Sequence, residues 1–156
     1  MSFRLTFVCT GNICRSPMAE AIARQWADKE GLDVDVDSSG TGSWHVGDDA
    51  DPRTVETLRL AGYASNHTAR QFDPADFTDC DLIVAMDSGH LRALRRLAPD
   101  AETQAKVRLL RDFDPAAGDD LNVPDPYYDD AEFSCVRELI EAAMPGLFDE
   151  IRRREQ

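Results

Sequence analysis

Phe7-Val8-Cys9-Thr10-Gly11-Asn12-Ile13-Cys14-Arg15-Ser16-Pro17-Met18-Ala19-Glu20 passes from an apolar run to a helix start through a short loop. Leu5, Phe7 and Val8 read as a buried strand. Ser16-Pro17 reads as a helix start, with Ser able to cap and Pro suited to the first turn. A strand that turns directly into a helix aims free backbone N–H groups and the positive end of the helix dipole at one point. The group bound there should be an anion, and the same field stabilises a thiolate.

Each residue of the loop then has an expected part. Cys9, at the strand end, is the candidate nucleophile. Arg15 can grip two oxygens of a phosphoryl group with its planar fork, which Lys cannot. Gly11 and Asn12 tolerate the positive φ that a loop curled around a tetrahedral anion requires. Thr10, Gly11, Asn12, Ile13 and Cys14 supply a ring of N–H donors, an anion nest. Ser16 can donate a hydrogen bond to the sulfur. The competing reading is a buried strand cysteine beside an ordinary glycine turn. The flanking strand, the Gly-Asn pair and the Ser-Pro helix start together favour a phosphate-binding, thiolate-activating loop.

At these residues the chain resembles the low-molecular-weight protein tyrosine phosphatases, most of all their bacterial branch, and the resemblance covers nearly the whole sequence. It implies one domain over residues 1–156, with a four-stranded parallel sheet flanked by helices and the phosphate-binding loop after the first strand. It implies hydrolysis of phosphotyrosine through a cysteinyl-phosphate, without cofactor or metal. Phosphotyrosine-containing proteins are then the substrates, and phosphate and other oxyanions the inhibitors.

The rest of the chain is consistent with that expectation. A length of 156 residues suits one core. No apolar run is long enough to span a membrane, and the first residues lack the layout of a signal peptide. The expected location is the cytoplasm, with export lacking a signal peptide as the alternative. A net charge of −13 argues against nucleic acid as partner, so the positive field at a phosphate site has to be local. Cys9, Cys14, Cys80 and Cys135, without an export signal or a Cys-x2-Cys pair, do not read as a disulfide framework or a zinc site.

Helix periodicity from Pro17 towards Glu30 carries Met18, Ile22 and Trp26, with Gly31 as the cap. Val34–Asp37 reads as a second strand, followed by a glycine-rich loop containing Trp44. Asp51-Pro52 starts a helix bearing Val55 and Leu58. Leu82-Ile83-Val84-Ala85-Met86 has the unbroken apolar character of a central parallel strand. Ser88 caps a helix with Leu91, Leu94 and Leu97. Val107–Leu110 is the fourth strand, and a long loop runs from Asp112 to Asp130. The last helix is lined by Phe133, Val136, Ile140, Met144, Leu147 and Ile151, with a kink expected at Pro145. This alternation predicts a doubly wound α/β sheet with its ligand at the carboxyl ends of the strands. No G-x-G-x-x-G or Gly-Lys-Ser/Thr signature is present, which disfavours a dinucleotide or NTP site.

A phenolate leaving group needs a proton, and a positioned acid contributes about 10²–10⁴-fold. Asp125 stands between Pro124 and Pro126, ahead of Tyr127 and Tyr128. Asp-Pro-Tyr-Tyr is the acid-bearing signature of the resembled family, which sets Asp125 above the other acids of its loop as general acid and later base. The same resemblance puts Ser38 and His67 in a network supporting the loop with Asn12 and Ser16, and lets Asp87 hold the loop or Arg15 indirectly. Trp44, Tyr127 and Tyr128 are expected as aromatic walls of the cleft. Cys14 matches a cysteine of the family, which implies a disulfide that shields Cys9 from irreversible oxidation. Asp129-Asp130 and His90 depart from the family pattern.

Three other readings compete with this one. A thiol-dependent arsenate reductase needs a resolving pair, and the position after the third strand is Asp87. A protein-arginine phosphatase of the same family carries Thr where this chain has Ile13. A phosphotyrosine-binding module without activity would not need Cys9, Arg15 and Asp125 together.

Overall fold

The computed structural model describes residues 2–155. Strand β1 (Phe3–Cys9) leads into helix α1 (Arg15–Glu30), then β2 (Val34–Gly40), α2 (Pro52–Leu60) and the short α3 (Asp76–Asp79). There follow β3 (Leu82–Ala85), α4 (Ser88–Leu97), α5 (Ala101–Ala105), β4 (Val107–Leu109), a 3₁₀ turn (Leu110–Phe113) and α6 (Glu132–Glu155). The four strands form one parallel sheet in the order β2-β1-β3-β4. Each return between parallel strands needs a crossover, and helices supply them.

The apolar run of β3 is continuous because both faces of the sheet are covered. Leu82, Val84 and Met86 join the cluster under α1 and α6 with Leu5, Phe7, Ile22 and Phe148. Ile83 and Ala85 join Val8, Phe72, Phe77 and Leu94 on the other face. Burying a side chain of this kind contributes about 1.5–3 kcal/mol. β1 therefore lies in the middle of the molecule, and its carboxyl end is held on both sides, by β2 through Gly40 opposite Cys9 and by β3.

Local details correct the reading of the sequence. Ser16 does not cap α1, because the helix begins one residue earlier and the Ser16 side chain turns inward to sulfur. Gly31 does end that helix, at φ 65°. β2 continues through Ser38, Ser39 and Gly40, so the start of the expected glycine loop is strand. Asp87, and not Ser88, caps α4 by accepting from the His90 N–H. Val55 and Leu97 face outward, at 40% and 62% exposure, since each helix has only one side towards the core. Leu110 belongs to the 3₁₀ turn, and α6 runs through Pro145. The short helices α3 and α5 carry too few turns to show a period in the sequence.

Candidate active site

The loop after β1 is shaped by where its carbonyls go. Those of Cys9 and Thr10 accept from the Thr41 and Gly42 N–H groups, at 2.9 Å each. The Asn12 carbonyl accepts from His67 Nε2 at 2.7 Å, and that of Ile13 from the Asp51 N–H at 2.8 Å. The Cys14 carbonyl accepts from the Met18 N–H at 3.3 Å and from the Thr54 hydroxyl at 3.4 Å. With the carbonyls tied outward, the N–H groups of Gly11 to Cys14 have no acceptor among the described residues. A ring of free donors at the start of a 16-residue helix is an anion cradle.

Only Asn12 of this loop takes a positive φ, 59°. Gly11 does not, contrary to expectation; its need is space, because a Cβ there would stand 2.9 Å from the His45 ring. Gly40 is required for a similar reason, since its Cβ would lie 2.7 Å from the Thr10 carbonyl.

Beneath the loop the protons of a buried network can be assigned. Asn12 Nδ2 donates to Ser16 Oγ at 2.8 Å and to Ser38 Oγ at 2.9 Å. Each hydroxyl has one proton of its own to give. Ser38 gives its proton to Glu20 Oε1 at 2.7 Å. Ser16 is left to donate to Cys9 Sγ at 2.9 Å, with the Ser39 carbonyl a longer acceptor at 3.4 Å. The amide of Asn12 thus sets Ser16 as a donor to sulfur. Asn12 Oδ1 is itself fixed by the Arg70 N–H at 2.9 Å. Ser38 and His67 both meet Asn12, one at its side-chain amide and the other at its carbonyl. Glu20, which completes the network, was not singled out as a site residue, though its place one helical turn after Ser16 is a signal for it.

Arg15 is buried, and one terminal nitrogen donates to Asp87 Oδ2 at 2.8 Å and to the Val123 carbonyl at 3.0 Å. The expected link to Asp87 is therefore direct. Burial pushes the Asp87 carboxyl up, but the His90 amide and ring and the Arg15 guanidinium outweigh it and hold the group below its usual value. The second terminal nitrogen of Arg15 points towards the cleft, 3.9 Å from Asp125 Oδ2. Asp125 accepts from the Tyr127 N–H through its other oxygen, at 3.1 Å.

These groups meet in a cleft of about 290 Å³ lined by Thr10, Gly11, Ile13, Cys14, Arg15, Trp44, His45, Asp125, Tyr127 and Tyr128. Cys9 lies buried at its floor. Trp44, Tyr127 and Tyr128 are all exposed, at 76%, 42% and 90%, and the two tyrosine rings meet edge to face. Trp44 also lies over Gly42, where a Cβ would overlap its ring. His45 and Arg53 carry no signal in the sequence that marks them for this cleft. Arg53 reaches from α2 to the Tyr127 carbonyl at 2.9 Å and to Asp130 at 2.6 Å, and stacks on the Tyr127 and Phe133 rings.

A family model described as low molecular weight phosphotyrosine protein phosphatase matches residues 4–156. The chain belongs to that family. A family member from Streptomyces coelicolor, named low molecular weight protein-tyrosine-phosphatase, is 55% identical over 99% of this chain and 96% of its own. The crystal structure of Bacillus subtilis YfkJ is similar at TM-score 0.92 and 39% identity, covering 100% of this chain and 98% of that one. The YwlE arginine phosphatase, solved as a mutant with a phosphorylated active site serine, is similar at TM-score 0.86 and 28% identity over 96% of each chain.

The remaining cysteines of this family member differ in setting. Cys14 lines the cleft, and burial, with Asp51 nearby, pushes its thiol up to about 12. Cys80 is also raised to about 12 by burial, but it packs on the opposite face of the sheet from Cys9. Cys135 is exposed, and all four cysteines are free.

Proposed function

We propose that this protein is a protein-tyrosine phosphatase whose single domain spans residues 1–156. The observation that carries the reading is Cys9 Sγ held by the Ser16 hydroxyl at 2.9 Å beneath a loop whose N–H groups converge. The phosphate of phosphotyrosine enters the ring of N–H groups and is gripped by the open side of the Arg15 fork. Cys9 attacks phosphorus as the thiolate, and Asp125 gives its proton to the departing phenolate. In the second step Asp125, now a carboxylate, takes a proton from water as it attacks the cysteinyl-phosphate. Trp44, Tyr127 and Tyr128 sandwich the substrate ring. Inorganic phosphate and other oxyanions compete for the loop. No step calls for a metal or cofactor, and the chain works in the cytoplasm. A disulfide between Cys9 and Cys14 would make oxidation of the nucleophile reversible.

The second reading is a protein-arginine phosphatase, favoured by the likeness to YwlE. Ile13 lines the cleft with an apolar side chain, which suits an aromatic ring better than a guanidinium. An arsenate reductase would need a pair of resolving thiols near the third strand, where Cys80 lies across the sheet from Cys9 and position 87 is Asp.

The test is hydrolysis of an aryl phosphate and of phosphotyrosyl, phosphoseryl and phosphoarginyl peptides in the presence of chelator. Cys9→Ser should abolish turnover yet still bind aryl phosphates, and Arg15→Lys should lose most activity because a point charge cannot make two parallel bonds. Turnover persisting in Cys9→Ser, or preference for phosphoarginine, would overturn the reading.

A further inference from the structure

We propose that the outer face of α4, through Arg92, Arg95 and Arg96, docks an acidic segment of the phosphoprotein substrate; this rests on the phosphatase reading above. The chain has 30 acidic and 17 basic residues apart from His, so an arginine on its surface meets a carboxylate by default. Among the described residues, every arginine except these three lies within 3.6 Å of one. The three unpaired ones are neighbours, spaced three and four apart on one exposed helix face. Arg95 is braced by a bond to the Val107 carbonyl at 3.0 Å, and Gln104 donates to the Arg95 carbonyl at 3.1 Å. Beside them are half-buried Leu91 and exposed Leu97, an apolar strip that a peptide can cover.

The helix links this patch to the cleft. Its cap, Asp87, holds Arg15, and His90 Nε2 lies 2.8 Å from the Thr10 hydroxyl. At 1.5 Å per residue, the arginines stand about 8–14 Å farther along α4. An extended chain covers that in about three to four residues, so acidic positions flanking the phosphorylated residue can reach the patch while it occupies the loop. A short acidic segment fits better than a nucleic acid or an anionic membrane. Those extended polyanions would also meet the carboxylates that give the chain its −13 charge.

The experiment compares two phosphotyrosyl peptides, one with acidic and one with uncharged flanking residues, in wild type and in Arg92→Glu/Arg96→Glu. Exposed ion pairs are weak singly, so the group should give about a tenfold lower KM for the acidic peptide. That preference should vanish in the double variant and at high salt, with kcat unchanged. The same charge reversal at Arg153 and Arg154 should leave the preference in place, which separates docking from the general field. Equal KM values for the two peptides in wild type would overturn the proposal. So would an acidic-peptide KM unmoved by the double variant, with RNA or anionic vesicles binding there instead. Hydrolysis of a small aryl phosphate, which does not reach α4, reports separately on the phosphatase reading and on folding.

Discussion

Asp125 illustrates how one side chain can be tested by the bond it helps to break. One oxygen is engaged by the Tyr127 N–H and the other faces the cleft near Arg15. Asp125→Asn should slow esters with poor leaving groups by about 10²–10⁴-fold. Esters of acidic phenols should lose far less, and an equal loss for both, measured as kcat, would remove the proton-transfer role. His90 gives a residue-scale prediction about pH. Burial lowers its pKa to about 4 from 6.5, against the pull of Asp87. The unfolded chain binds this proton below pH 6.5 and the folded one does not until about pH 4, so stability falls as pH drops through that window. His90→Asn should therefore show a shallower loss of Tm between pH 6.5 and 4 than wild type. Parallel curves would show that His90 titrates alike in both states.

At the scale of elements, the segment bearing Asp125 has little secondary structure of its own and depends on a neighbour. Arg53, anchored at the start of α2 by Asp51, ties down the Tyr127 carbonyl and Asp130. This gives the second Asp after Tyr-Tyr a partner, where the sequence showed only a departure from the family pattern. Arg53→Ala should lower kcat for esters with poor leaving groups and raise KM for phosphotyrosyl peptides, because both Asp125 and Tyr127 sit on the freed segment. The Tm should move little, since the contact is exposed. Unchanged kinetics in that variant would show that the segment holds its place without α2.

For the whole molecule, a charge of −13 means that self-repulsion outweighs what the surface ion pairs return. The Tm at pH 7 should rise by a few degrees between about 20 and 200 mM NaCl, as the Debye length shortens; a fall would show that local pairs dominate. Much of the architecture is legible in the sequence. The alternation of apolar runs and helical periods specifies a parallel α/β sheet, and Cys9 to Ser16 specifies an anion loop. Both signals are local, because consecutive residues make the strand, the turn and the helix start. The partners of that loop are not local. Asp87 and Val123 meet Arg15 across 72 and 108 positions, and Ser38 meets Asn12 across 26. The bond of Glu20 to Ser38, the Arg53 bridge and the outward turn of Val55 and Leu97 follow from the same cause. A period says that a helix has an apolar side, but only the packed sheet decides which residues face it and which charges are left without a partner.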